Sequence, residues 1–196
     1  MMVKICGITN HDDALAAVEA GASAIGFNFH RESPRYISPT GAALIAENIP
    51  IGVWKVGVFV DDDADSVARV ALQVGLNVAQ LYGKAQARVD RVWRACRVDD
   101  PLGLKIFLSD QTVEALLLDS LSEKQYGGTG QTFDWSRANG LPKKIIIAGG
   151  LDSSNVGRAI QEAQPWGVDA CSRLEKSPGL KDHDKMRQFI KAALQT

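Results

Sequence analysis

Short apolar runs alternate with amphipathic stretches along most of the chain. Eight runs of apolar or β-branched residues have the length of buried strands. They lie at residues 3–6, 24–29, 54–60, 78–81, 104–108, 116–118, 144–148 and 167–170. Helical periodicity is present at residues 12–20, 41–47, 65–74, 87–97, 154–163 and 184–194. Strands that alternate with helices predict parallel pairing through right-handed crossovers.

Eight such strands favour a (β/α)8 TIM barrel. No Ser/Gly/Pro-rich linker or charge block divides the chain, so we expect one barrel domain over residues 1–196. An open, doubly wound sheet is the architectural alternative, because alternation alone does not separate closed from open α/β folds. The chain has 196 residues, whereas a barrel of this kind usually takes about 250.

One connection accounts for much of the missing length. The starts of successive predicted strands are 21 to 30 residues apart, except for the fifth and sixth, at residues 104 and 116. A parallel crossover usually takes about a dozen residues or more, including its helix. We therefore predict that the helix between strands 5 and 6 is reduced or missing. A full helix in that segment would mean that the fifth strand is misplaced.

Composition and charge exclude several classes of function. Lys and Arg total 22 against 23 Asp and Glu, a net charge of -1, which disfavours nucleic-acid binding and polybasic membrane binding. No apolar stretch approaches the roughly 20 residues of a membrane span. The N-terminal residues have no leader pattern, so we expect the cytoplasm. Three cysteines and three histidines without ligand spacing predict neither a zinc site nor any other metal.

The first strand carries an unusual pair of side chains. By the two-residue period of a strand, Val3 and Ile5 share one face, while Lys4 and Cys6 share the other. If the apolar pair faces the helices, Lys4 and Cys6 point into the barrel, and Gly7 turns the chain at its upper rim. A thiol there can act as a base or nucleophile if its pKa falls below the free value of about 8.5. The alternative is a small buried hydrophobic residue.

Two aspartates lie at the ends of predicted strands, where barrel enzymes hold their active sites. Asp119 follows three leucines, and a carboxylate at the tip of an apolar strand needs a partner or a function. It suits a general acid, or it caps the turn at residues 120–122. Asp169, near the end of the eighth strand, has the same two interpretations, with more weight on hydrogen bonding.

The loops after the last two strands have the features of a phosphate site. Gly149 and Gly150 precede a capped helix, and paired glycines expose backbone N–H groups to an anion. The segment that contains Ser172 follows the eighth strand, and loops seven and eight commonly hold phosphate in barrel enzymes. Arg35, after the second strand, can form a bidentate pair with a substrate carboxylate, or it is a solvated surface residue.

An ordered set of motifs resembles the phosphoribosylanthranilate isomerase family. The resemblance runs through the chain and includes Lys-Ile-Cys-Gly at residues 4–7 and Ala-Gly-Gly-Leu at 148–151. The other matching segments are residues 35–38, 56–60, 127–135 and 177–182. The resemblance implies a (β/α)8 barrel of tryptophan biosynthesis that performs an Amadori rearrangement of N-(5-phosphoribosyl)anthranilate, with no cofactor or metal.

The resemblance also implies roles for individual residues. Cys6 is the expected general base and Asp119 the expected general acid. Arg35 is expected to hold the anthranilate carboxylate, and Asp169 to help bind the sugar hydroxyls. Gly149, Gly150 and Ser172 are expected to contribute to the phosphate site. The partner is then a small-molecule substrate, with neither nucleic acid nor membrane, in a monomer or homodimer.

The chain departs from the family pattern at two places near this site. Residues 171–174 read Cys-Ser-Arg-Leu, whereas the family usually has Ser-Ser-Gly-Val, so Arg173 replaces a glycine near the phosphate. Tyr82 stands where a histidine is more usual. Neither change touches Cys6 or Asp119.

Three other functions are open on the sequence. The sister isomerase of histidine biosynthesis resembles the chain in fold but uses two aspartates, one of them in the position of Cys6. A second alternative is a phosphate-binding or interaction subunit that has kept the barrel and lost activity. A third is a thiol redox site, since strands one and eight are neighbours in a closed barrel and carry Cys6 and Cys171 at the same end.

Overall fold

The protein is a closed barrel of eight parallel strands, as described by a computed structural model for residues 1–119 and 132–196. Each strand pairs with the next along the chain, and the eighth pairs with the first. This confirms the predicted TIM barrel and excludes the open sheet. The strands are β1 (Met2–Cys6), β2 (Ala24–Asn28), β3 (Trp54–Val60), β4 (Val78–Tyr82), β5 (Val92–Arg97), β6 (Val113–Asp119), β7 (Lys144–Ile147) and β8 (Gly167–Ala170).

Six helices are described around the barrel. They are α1 (His11–Glu19), α2 (Pro39–Ala46), α3 (Ala64–Val74), α4 (Pro101–Ser109), α5 (Val156–Ala163) and α6 (His183–Leu194). Local signals set several of their ends. The Ser38 hydroxyl caps α2 ahead of Pro39 at its first position, and Gly75 ends α3 in the left-handed conformation. None of the described helices is long and apolar enough to cross a membrane.

The fifth strand lies elsewhere than predicted. Residues 104–108 belong to helix α4 rather than to a strand, and residues 92–97 of the predicted helix 87–97 form β5. The apolar run Leu104–Leu108 is short, and such a run does not distinguish a strand from a packed helix. The connection predicted to have a reduced or missing helix therefore holds a short one, α4, whose first turn is capped by Asp100.

The missing helix belongs to the preceding connection. Only 14 residues separate the starts of β4 at Val78 and β5 at Val92, and residues 83–91 contain turns, bends and irregular chain without a helix. Ala85 is fully buried there, while Ala87 and Val89 pack against the outer core. An irregular segment thus covers the barrel where a helix would normally lie.

The side chains of β1 alternate as the sequence predicts. Val3 and Ile5 pack in the apolar layer between strands and helices, while Met2 and Cys6 contact the core inside the barrel. Lys4 also points inward and is completely buried. At the N-terminal end of the barrel, the interior is closed by the rings of Trp54, Trp93 and Trp166, whose centroids are 5.8 to 5.9 Å apart.

A small hairpin lies beyond β8 at the opposite end of the barrel. Its strands are β9 (Glu175–Ser177) and β10 (Leu180–Lys181), which pair antiparallel so that Lys181 lies across from Glu175. Gly179 takes a positive φ of 83° in the turn between them. The hairpin thereby places a buried carboxylate and a buried ammonium at the carboxyl ends of the strands.

Candidate active site

A single cavity at the carboxyl ends of the strands contains every residue that the sequence singled out for function. The empty space at this place, including the part open to solvent, is about 710 Å³. Its lining includes Cys6, Arg35, Asp119, Gly149, Gly150, Asp169 and Ser172. Residues that are far apart in the chain are therefore brought to one place by the closure of the barrel.

Lys4 and Asp169 form a buried ion pair between the first and last strands. Their residues are register partners in β1 and β8, and the Lys4 Nζ lies 2.8 Å from the Asp169 Oδ2. Burial raises the pKa of Asp169 to about 7, against the attraction of Lys4. The second carboxylate oxygen of Asp169 has no hydrogen-bond partner among the described residues. That oxygen is available to a hydroxyl group of a ligand.

Two thiols lie side by side next to this ion pair. Cys6 ends β1 and Cys171 follows β8, and both line the cavity. A hydrogen bond to Cys171 and burial raise the pKa of Cys6 well above its ordinary value, although Lys4 opposes the shift. The hydrogen bond from Cys6, together with the charges of Lys181 and Arg35, lowers the pKa of Cys171 to about 6 despite burial. These shifts have opposite directions, so the surroundings favour the thiolate form of Cys171 over that of Cys6.

Arg35 lines the cavity, but Glu175 holds most of its guanidinium. The Nε and Nη2 atoms of Arg35 donate to the two Glu175 carboxylate oxygens at 2.9 and 2.8 Å. The buried Lys181 Nζ donates to the same carboxylate at 2.9 Å. Hydrogen bonds from Arg35 and the charge of Lys181 lower the pKa of Glu175, even though burial opposes this. The Arg35 Nη1 group makes no hydrogen bond to any residue in the described ranges, so it can still meet an anion.

Asp119 and Tyr82 approach the cavity from other strands. Asp119 is the last residue of β6 and its side chain is buried. Tyr82 ends β4, and its hydroxyl accepts a hydrogen bond from Gln80 at 3.2 Å. Burial, followed by the nearby charge of Asp119, raises the pKa of Tyr82 well above its ordinary value. The predicted capping turn at residues 120–122 lies outside the described residues, as does most of the motif at 127–135.

The loops after β7 and β8 line the cavity on one side. Gly149 and Gly150 take positive φ values of 83° and 62°, a conformation that favours glycine. Within residues 1–119 and 132–196, no atom accepts a hydrogen bond from either N–H group. Ser172 begins a short 3-10 helix facing the same space. Beside these loops, the Arg173 Nη1 lies 2.8 Å from the Asp152 Oδ2, so the extra arginine is joined to the neighbouring loop.

Metal chemistry has no obvious ligand set in the part of the chain that is described. No group of three or more His, Cys, Asp or Glu side chains is placed there to hold a metal ion. The polar groups of the cavity are instead arranged as ion pairs, a thiol pair and exposed N–H groups. Such an arrangement suits proton transfer on an anionic ligand.

Comparison with protein families agrees with the geometry. Residues 3–192 match the model for the family described as N-(5'-phosphoribosyl)anthranilate (PRA) isomerase. The chain belongs to the phosphoribosylanthranilate isomerase family. Membership favours this family over the sister isomerase of histidine biosynthesis, which the sequence left open.

Individual relatives cover nearly the whole chain. The N-(5'-phosphoribosyl)anthranilate isomerase of Solibacter usitatus is 46% identical, over 98% of this chain and 97% of the relative. The crystal structure of phosphoribosylanthranilate isomerase from Thermotoga maritima is 38% identical and superposes with a TM-score of 0.88, covering both chains completely. A second isomerase structure, 37% identical with a TM-score of 0.84 over the full length of both chains, holds reduced 1-(o-carboxyphenylamino)-1-deoxyribulose 5-phosphate.

Glu175 and Lys181 are the residues at this site to which the sequence assigned no role, whereas Cys171 was considered only as half of a thiol redox site. Glu175 and Lys181 lie on the β9–β10 hairpin, and Cys171 is one of the departures from the family pattern. A buried lysine always requires a partner, but its burial follows from the hairpin and not from local periodicity. The segment 177–182 was matched as a motif, and the contacts of Lys181 give a physical reason for it.

Proposed function

We propose that the protein is a phosphoribosylanthranilate isomerase that uses Asp119 as general acid and Cys6 as general base. The placement of these two groups carries the proposal. They face one cavity from β6 and β1, which are three positions apart around the closed barrel, with the anion-binding loops of β7 and β8 between them. Acid and base can therefore act on opposite sides of one small sugar.

The reaction begins at the ring oxygen of the phosphoribosyl group. Asp119 donates a proton to that oxygen, and the bond between the oxygen and C1 breaks to give an open-chain Schiff base. Asp119 is suited to this step because it is buried at the end of an apolar strand and faces the cavity. Tyr82 lines the same cavity, and the charge of Asp119 contributes to the raised pKa of Tyr82.

Cys6 then removes the proton from C2 of the Schiff base. The electron pair of the C–H bond forms the enolamine, which converts to the ketose product. Cys6 needs a negative charge for this step, and Cys171, whose thiolate form Lys181 and Arg35 favour, is the group that can take its proton. The proton of Cys6 passes to Cys171 along their hydrogen bond, and the buried ammonium of Lys4 stabilises the thiolate that remains.

Binding groups surround the reacting atoms. The N–H groups of Gly149 and Gly150 and the segment of Ser172 bind the phosphate. The available oxygen of Asp169 accepts a hydrogen bond from a sugar hydroxyl, while Lys4 fixes the orientation of the carboxylate. The Nη1 group of Arg35 pairs with the anthranilate carboxylate, and Glu175 holds the remainder of the guanidinium in place.

Substitution of each catalytic group tests the assignment. We expect Cys6→Ser and Asp119→Asn each to lower kcat by about 10² to 10⁴-fold, the usual contribution of a general acid or base. The decay of substrate fluorescence measures turnover, and circular dichroism melting verifies folding. Cys96→Ser is the matched control, because Cys96 is buried outside the cavity. Near-normal turnover in either site variant contradicts that residue's role, and an inactive wild-type protein favours the non-catalytic subunit.

We also propose that the enzyme acts in the cytoplasm as a monomer or homodimer. The chemistry of a small soluble metabolite and the absence of any membrane-spanning helix in the described residues are consistent with that location. A relative 37% identical to this chain is described as a mutually generated monomer of the dimeric isomerase from Thermotoga maritima, so both states occur among similar proteins. Light scattering on the purified chain distinguishes them.

A further inference from the structure

The thiol pair of Cys6 and Cys171 joins the first and last strands of the barrel. In the pairing of β1 with β8, Lys4 lies beside Asp169 and Ile5 beside Ala170, so Cys6 and Cys171 occupy the next positions. Neighbouring strands are about 4.8 Å apart, within the Cα separation that a disulfide bond spans. Both cysteines are free thiols that line the same cavity.

Two cations and one carboxylate lie around the sulfur of Cys171. The Glu175 Oε1 is 3.9 Å from the Cys171 Sγ and opposes a thiolate there, but Lys181 and Arg35 outweigh it. The Lys181 Nζ lies 3.7 Å from the Cys171 Sγ and is completely buried, so its charge is poorly screened. The Arg35 side chain lies on another side, and Gly7 leaves the space that both need. A Cβ added at Gly7 would lie 2.8 Å from the Arg35 Cδ and 2.9 Å from the Cys171 Sγ. These contacts favour a thiolate at Cys171 beside the protonated thiol of Cys6.

The third cysteine has none of these features. Cys96 is buried in the apolar layer between strands and helices, where burial raises its pKa to about 11. A thiol of that kind is unreactive. The chain thus contains one reactive thiol with a thiol partner and one inert thiol that serves as an internal standard.

We propose that Cys6 and Cys171 are a reversible oxidation site at which a peroxide converts the two thiols into a disulfide bond. The Cys171 thiolate attacks hydrogen peroxide, the O–O bond breaks, and Cys171 becomes a sulfenic acid with release of hydroxide. The sulfur of Cys6 then attacks the Cys171 sulfur, the S–S bond forms, and the S–O bond breaks with loss of water. The Cys6 proton leaves in this water molecule, and the hydroxide takes up the proton that Cys171 released to solvent when it ionised. In sum the two thiols lose two electrons and two protons, and the peroxide is reduced to two water molecules. A dithiol reductant reverses the change by exchange.

Oxidation has a direct consequence for the active site. The disulfide removes the sulfur of Cys6 from proton transfer and places the S–S bridge across the β1–β8 side of the cavity. The predicted loss of activity rests on the proposed role of Cys6 as general base, whereas formation of the bridge does not. The two parts of the proposal are therefore measured separately.

Peptide mapping of the full chain tests the bridge. The protein is treated with hydrogen peroxide, blocked with iodoacetamide and digested with trypsin. Cys6 then lies in the peptide 5–31 and Cys171 in the peptide 159–173. We expect a cross-linked species lighter than the two reduced peptides by two hydrogen atoms, a parallel fall in isomerase activity, and recovery of both after dithiothreitol. A wild-type protein that stays reduced, or loses activity reversibly with no cross-link, overturns the proposal.

Two substitutions complete the experiment. Cys171→Ser, compared with its own untreated activity, is expected to form no cross-link and to lose reversible activity about tenfold more slowly than the wild type. Cys171→Ala replaces it if the serine variant folds poorly. Cys96→Ser is expected to behave as the wild type. Reversible inactivation of Cys171→Ser at the wild-type rate overturns the proposal, while a cross-link with full activity supports the oxidation site and contradicts the role of Cys6.

Discussion

The same strands form both ends of the barrel interior, but the side chains at one end are mainly aromatic and those at the other are mainly charged or polar. At the N-terminal end, Trp54, Trp93 and Trp166 pack against one another and exclude water. At the carboxyl end, the strands present the ion pair of Lys4 with Asp169 and a pair of thiols. One end is held by apolar contact and the other by electrostatic pairing.

This contrast separates stability from function within one structure. At the tryptophan end, the Trp93 ring is completely buried and its Nε1 has no acceptor among the described residues, while Arg91 and Lys144 lie over the outer faces of Trp54 and Trp166. At the charged end, burial of the ionised groups costs desolvation free energy, and apolar side chains there would avoid that cost. Buried charges that are kept despite the cost are typical of functional sites. We therefore expect substitutions at the tryptophan end to change stability alone, and substitutions at the charged end to change both stability and the properties of the site.

The largest effect on stability is expected at the tryptophan end. Trp93→Ala should lower the free energy of unfolding by about 3 to 5 kcal/mol, because it removes a completely buried ring and leaves a cavity. Urea denaturation measures the loss. Turnover per folded molecule should not change, since the tryptophans lie outside the cavity that holds the catalytic groups.

A milder variant keeps this prediction testable if Trp93→Ala does not fold. Trp93→Phe retains ring contacts with Trp54 and Trp166 and should lose less stability than the alanine variant. A large fall in kcat for Trp93→Phe, with stability little changed, would show that the two ends are not independent.

The next largest effect is expected at the charged end. Glu175→Gln should cost about 3 kcal/mol, the low end for breaking a buried ion pair, because Lys181 and most of Arg35 lose their counter-charge. The pKa of Glu175 is lowered in the fold, so its stabilisation is present at neutral pH and is lost as pH falls through that lowered value. The difference in free energy of unfolding between the wild type and Glu175→Gln, measured by urea denaturation, should therefore decrease at acidic pH.

Glu114 offers a matched control near the other end of the barrel. Its carboxylate pairs with Lys144 at 2.9 Å, but this lysine side chain is 45% exposed. Glu114→Gln should change stability by less than about 1 kcal/mol, as for exposed ion pairs, and should leave KM unchanged. Equal losses for Glu114→Gln and Glu175→Gln would contradict the distinction between the two ends.

The smallest effect concerns protonation alone. The pKa of Cys171 is about 6, so its thiolate fraction rises as pH increases through that value and saturates above it. Iodoacetamide labelling of Cys171, followed by peptide mapping, should increase between pH 5 and about pH 7 and then level off. A midpoint near the ordinary thiol value, about 8.5, would show that Lys181 and Arg35 do not stabilise the charge.

Most of the barrel follows from local pattern. The inward direction of Lys4 and Cys6 and the starts of most strands come directly from two-residue alternation and from glycines at strand ends. The fifth strand does not, because Arg94 interrupts its outward apolar face and Arg97 ends the inward face of Trp93 and Ala95. Asp100 and Pro101 are a helix-start signal that would have placed α4 correctly.

The candidate site is less predictable than the fold. Strand ends identify Cys6 and Asp119, since all carboxyl ends of parallel strands meet at one side of a barrel. The ion pair of Glu175 with Arg35 depends on the β9–β10 hairpin, which folds back over the site after β8. The hydrophobic periodicity of the sequence does not predict this hairpin. The local sequence pattern therefore predicts the site residues that lie on the strands, but it does not predict those that the hairpin contributes.

The ion pair of Lys4 with Asp169 has a consequence for the synthesis of the protein. The two residues are 165 positions apart in the chain. At the usual rate of protein synthesis, Asp169 is therefore made roughly 10 to 30 seconds after Lys4. Until β8 arrives, the nascent sheet has two open edges of the kind that promote aggregation. The binding pocket, the thiol pair and the closed barrel therefore form together, and only after β8 has been made.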